Sequence, residues 1–122
     1  MEPPLPELTN FERQALRDIA ALFESEADDF LGQVASARVV DRVNTGVGFY
    51  TRVIVDRSLC KPLPVRAKGG HFEVEGLSLG LGVVLWDDEG YLRTIEGYTY
   101  EESPLEARNL SGLKYCRLVQ LG

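Results

Sequence analysis

Gly46-Val47-Gly48-Phe49-Tyr50-Thr51-Arg52-Val53-Ile54-Val55-Asp56 is the stretch that decides the fold. It alternates residue by residue, the pattern of a half-buried antiparallel strand. Val47, Phe49, Thr51, Val53 and Val55 fall on one side, the expected core face, and Gly48, Tyr50, Arg52, Ile54 and Asp56 on the other. Glycine forms strands poorly, so its use here marks a bulge, a bend, or close approach by another backbone or a ligand. Glu96-Gly97-Tyr98-Thr99-Tyr100 repeats the combination of glycine, aromatics and threonine.

Toward the amino terminus the period lengthens. Leu16, Ile19, Ala20 and Phe23 are spaced as one face of an amphipathic helix, and Ala27, Phe30, Leu31 and Val34 continue the pattern. Thr9-Asn10-Phe11-Glu12 has the spacing of a capping box at the start. The two runs predict either a helical hairpin or one kinked helix over residues 10–36. Residues 1–8, with Pro3, Pro4 and Pro6, are expected to be a flexible start.

Toward the carboxyl terminus strands dominate. Arg38 to Val43 reads as a strand, followed by turn residues Asn44-Thr45-Gly46. A loop is expected from Arg57 to Gly70, broken by Pro62, Pro64 and Gly69-Gly70. His71 to Glu75 follows as a short strand, with Phe72 and Val74 inward. Gly80 to Trp86 and Tyr91 to Tyr100 form a hairpin closed by Asp87-Asp88-Glu89-Gly90. Ser103-Pro104-Leu105-Glu106 suits a single helical turn, Asn109 to Gly112 a turn, and Leu113 to Val119 a last strand. The sum is one α+β domain over residues 1–122: two amino-terminal helices on one face of a mostly antiparallel sheet of about six strands. Phe49, Val53, Phe72, Val84, Ile19 and Phe30 are expected in its core.

The 122 residues are 44% hydrophobic and 26% charged, an ordinary globular balance, with a net charge of −6. That charge is segregated. Residues 1–36 sum to −6, residues 37–70 to +5 and residues 71–122 to −5. Either the segments pair across the fold, or an acidic side steers a basic partner. An acidic chain lacks the broad basic face that nucleic-acid binding requires. No apolar run is long enough to span a bilayer, and the opening residues lack the layout of a secretory signal, so a cytoplasmic location is expected. Cys60 and Cys116 are expected to be thiols, Cys116 as a small buried hydrophobe and Cys60 in a loop beside Lys61.

Catalytic chemistry has little to stand on. One histidine and two distant cysteines supply no metal-ligand cluster, so no metal or cofactor is expected. Gly76 to Gly82 leads into a strand instead of a helix, with no lysine-then-hydroxyl pair, and reads as a bend or bulge. His71 has no serine elbow to serve, and Glu73 and Glu75 read as a solvated strand face. The constellation that stands out is Tyr50 and Arg52 on one strand with Glu96, Tyr98 and Tyr100 on the other. If the two faces coincide they form a binding patch, since tyrosine and arginine give large contact area with polar handles. The plainer alternative is an Arg52–Glu96 cross-strand pair shielded by tyrosines.

On those two motifs, and on Val83-Val84-Leu85-Trp86 before an acidic turn, the chain resembles a family of small uncharacterised bacterial proteins. The likeness runs over roughly residues 8–104. It implies a bacterial cytoplasmic protein and carries no activity, cofactor or catalytic residue with it. The sequence therefore supports two functional readings. One is a non-catalytic acidic interaction domain for a basic protein partner, as immunity proteins are for toxins. The other is a small-molecule binder or minor enzyme with a pocket at the glycine–aromatic strands.

Overall fold

A computed structural model describes residues 7–63, 69–75, 77–99 and 115–121. Helix α1 (Asn10–Ala20) starts at the capping box: the Thr9 hydroxyl accepts from the Glu12 amide (3.1 Å), and the Glu12 carboxylate accepts from the Thr9 amide (2.8 Å). A 3₁₀ stretch (Ala21–Glu26) joins it to α2 (Ala27–Ser36). Within that stretch Glu24 has φ 52° and ψ −116°, a conformation no helix continues through. The helical segment predicted over 10–36 is thus continuous in sequence but broken in direction, and Phe23 stacks on Phe30 across the break at 4.5 Å. Of the residues expected to be a flexible start, Glu7 and Leu8 are described, and Leu8 is buried.

Six strands follow: β1 (Arg38–Asn44), β2 (Gly48–Ile54), β3 (Gly69–Val74), β4 (Leu77–Asp88), β5 (Tyr91–Thr99) and β6 (Tyr115–Leu121). They form one sheet in the order β1-β2-β5-β4-β3-β6, and every pairing is antiparallel. The helices cover one face, α1 lying against β3 and β6 and α2 against β5. Together they make the expected α+β fold. The core between the layers holds Phe11, Leu16, Ile19 and Phe30 from the helices and Phe49, Val53, Phe72, Leu81, Val83, Leu85 and Ile95 from the sheet. Phe11 meets the Phe72 ring edge-on at 6.5 Å.

The β4–β5 hairpin closes where the alternation stops. Glu89 (φ 54°) and Gly90 (φ 89°) form a two-residue loop with both central φ angles positive, the geometry that matches the right-handed twist of paired strands. Gln33 of α2 locks this hairpin to the helical layer. Its buried amide donates to the Lys61 and Gly90 carbonyls (2.7 and 3.0 Å) and accepts from the Leu92 amide (2.8 Å).

Three expectations are corrected. Val47 is exposed: it stands at the end of the turn at Gly46 (φ 86°), before β2 begins, with its carbonyl accepting from the Thr99 amide of β5 (2.8 Å). Gly69 and Gly70 open β3 opposite Val84 and Val83 instead of ending a loop, since a backbone ladder needs no side chains. Val84 lies on the far face of the sheet, and its neighbours Val83 and Leu85 take the buried positions opposite Gly97 and Ile95. A run of apolar residues without alternation does not reveal which of them points inward. The residues expected to bulge do so: between β3 and β4, Phe72 faces Leu81 but Val74 faces Leu77, so β4 carries extra residues around Gly80 (φ 76°). The helical turn expected at Ser103 lies outside the described residues.

Candidate functional site

The face of the sheet turned away from the helices carries the candidate site. Cross-strand register builds it row by row. Val43, Tyr50, Glu96 and Val84 form one row, and Asp41, Arg52, Thr94 and Trp86 the next. Among the described residues no element packs over these rows, and Val43, Tyr50 and Ile54 stay 53%, 40% and 59% exposed. The two sequence motifs are therefore neighbours, and Tyr50, Arg52, Glu96 and Tyr98 share one face. Tyr100 lies outside the described residues.

What the motif glycines do is now visible. Phe49 and Gly97 are direct cross-strand partners on the core face, and a Cβ on Gly97 would sit 2.3 Å from the Phe49 ring. On the open face Tyr98 lies across Gly82 in the same way, with 2.2 Å from a Cβ there to the ring. Each glycine is bare so that an aromatic ring from the adjacent strand can lie on the backbone.

The expected Arg52–Glu96 pair is not formed. Arg52 makes a two-pronged pair with Asp41 across β1 and β2, which holds the Asp41 carboxyl below its usual range and raises the arginine. The bulge at Val40, where Val39 faces Val53 but Asp41 faces Arg52, brings that aspartate alongside. Glu96 instead accepts a hydrogen bond from the Trp86 indole (3.0 Å), and its second oxygen takes none from the described residues. Sequence reasoning had not put Trp86 in the site, because the run Val83–Trp86 shows no alternation to separate its faces.

A depression of about 520 Å³ opens on this face, lined chiefly by Tyr50, Trp86, Glu96, Arg52, Asp41 and Arg93. Arg93 is the extra residue of a β5 bulge, since Trp86 faces Thr94 but Asp87 faces Leu92. It is exposed and has no hydrogen-bond or ion-pair partner among the described residues. His71 lies further along the face, its imidazole over Gly80. Arg117 of β6 pairs with Glu73 and lowers that carboxyl. Cys60 is half-buried, its thiol 3.1 Å from the Asp56 carbonyl, and the Cys116 side chain lies outside the described ones.

Fold and surface together define a class: a two-layer α+β domain with one sheet face left uncovered by the described residues and an aromatic, charge-studded depression on it. No helix among the described residues is long and apolar enough to cross a membrane. No family model, curated protein or solved structure matches the chain significantly.

Proposed function

We propose that this chain is a non-catalytic interaction domain, bacterial and cytoplasmic, that receives a basic segment of another protein on the open face of its sheet. Glu96 is the observation that carries the reading. One of its oxygens is held by the Trp86 indole, the other has no partner among the described residues, and Tyr50 stands directly opposite it. A carboxylate beside an exposed tyrosine ring and a half-buried indole suits a lysine or arginine head: the ring faces attract the cation and the carboxylate accepts its hydrogen bonds. Asp41 already has Arg52, so among the described carboxylates lining the depression Glu96 is the one with an oxygen to offer. Arg93 at the rim, without a partner among the described residues, would take an acidic residue flanking the inserted cation. The acidic segments at both ends of the sequence would speed encounter with a basic surface. Neutralising a basic toxin domain, as immunity proteins do, is one form such a function takes, and that comparison rests on analogy.

A small-molecule pocket built on the glycine–aromatic strands has less in its favour. The space above Gly97 and Gly82 is occupied by the rings of Phe49 and Tyr98.

The test is titration with a lysine- and arginine-rich peptide, followed by the fluorescence of Trp86, the single tryptophan. Glu96→Gln keeps the shape and removes the charge, and it should weaken binding by about 2 kcal/mol, the range of a hot spot. Added salt should shrink that difference, because exposed charge pairs are screened. Equal affinity for the wild-type and Glu96→Gln domains would refute the proposal.

A further inference from the structure

On the opposite side of the domain a second concavity, of about 350 Å³, lies where α1, the end of α2 and the start of β1 meet. Arg13 and Arg17 reach it from α1 and Arg38 from the first residue of β1, with Leu31 and Val34 of α2 among its apolar lining. Glu7 is the acidic residue there, and its carboxylate is spent on Arg13 at 3.2 Å. Three arginines against one glutamate in its lining leave a local charge of +2 in a chain whose total is −6.

We infer that this concavity is a binding site for a small organic anion, one carrying a phosphate or carboxylate head on an apolar body. Arg17 and Arg38 make no hydrogen bond or ion pair among the described residues. A structural duty for these arginines would be to cap the carbonyls at the helix ends, yet among the described residues neither donates to one. Arg13 and Arg17 are also four apart on one helix, a like-charge spacing that weakens the helix unless an anion lies between them. Guanidinium groups present forked donors that match the oxygens of phosphate or carboxylate. The side chains of Leu31 and Val34 give the rest of such a ligand a dry surface, and the volume is in the range of small-molecule sites. The anion's chemistry is set by the arginines and its amphiphilic character by α2.

Two probes and two variants decide it. Inorganic phosphate and phenyl phosphate are titrated at low salt into the full chain, with amide shifts recorded by NMR. Both should shift the amides around Arg17, Val34 and Arg38 in a saturable way. Phenyl phosphate should bind at least about fivefold tighter, because its ring buries apolar area that phosphate lacks. Arg17→Gln with Arg38→Gln, at two exposed positions, should weaken both probes by about tenfold or more, given the strength of charge-assisted hydrogen bonds. Glu96→Gln should leave both affinities unchanged, which separates this site from the open sheet face. Shifts that do not saturate, equal affinity in the double variant, or equal binding of the two probes would each overturn the inference.

Discussion

Replacing Phe49 and Gly97 singly and together tests whether the glycine of the second motif exists to seat the aromatic of the first. Phe49 is 2% exposed, so Phe49→Ala should cost about 3–5 kcal/mol for lost burial and the cavity left behind. Gly97→Ala puts a methyl group 2.3, 2.7 and 2.9 Å from three atoms of the Phe49 ring. Real side chains do not approach so closely, and a ring packed in a core has little room to retreat. The strain should cost about 1–3 kcal/mol. In the double variant the clash is gone, the new methyl fills part of the cavity, and alanine suits an ordered backbone better than glycine by up to about 1 kcal/mol. The double variant should therefore be no less stable than Phe49→Ala alone, and the coupling should be about 1–3 kcal/mol. Urea unfolding followed by Trp86 fluorescence reads all four proteins. Additivity within about 0.5 kcal/mol, the behaviour of independent sites, would refute the reasoning.

Truncating Gln33 to Ala should destabilise the domain by about 3 kcal/mol, because it strips the partner from the Lys61 carbonyl and the buried Leu92 amide and leaves the Gly90 carbonyl with the Leu63 amide alone; the Leu92 amide should also exchange faster, and unchanged exchange would count against the clamp. Tyr50→Ala should change stability by under about 0.5 kcal/mol, as an exposed ring does, and Tyr98→Ala by less than Phe49→Ala. A Tyr98→Ala domain as unstable as Phe49→Ala would make Tyr98 core and shrink the candidate site. Asp41 and Glu73 are held below their ordinary values of 3.8 and 4.5, chiefly by hydrogen bonds from Arg52 and Arg117. The stability those pairs add is present above the ordinary values and is lost as pH falls through the lowered ones. Carboxyl titration by NMR should find both groups below those values in the wild type, with Asp41 back at its ordinary value in Arg52→Gln; an unmoved Asp41 would sever the pair.

Local pattern carried a good deal of this protein. The period-two alternation from Phe49 to Val55 identified β2 and its buried side, because a strand's side chains alternate whatever it pairs with. The capping box at Thr9 and the turn at Glu89-Gly90 were legible for the same reason, since each is settled within a few residues. Pairing was not. Only the register showed that Phe49 sits on Gly97 and Tyr98 on Gly82, and so why the motifs hold glycine at all. Likewise Asp41 takes Arg52 because a bulge in β1 brings it there, and Glu96 takes Trp86 because β4 and β5 align that way. Phe49 and Gly97 lie on strands far apart in sequence, while the other pairs join neighbouring strands whose register, bulges included, the alternation of residues does not set. Glu12 makes the point most plainly: read as a cap, it is also buried against Arg42 (2.6 Å) and Thr51 (2.5 Å), tying α1 to β1 and β2. A side chain's local role is written in its neighbours along the chain, while its partner across the fold is chosen by the packing of the layers.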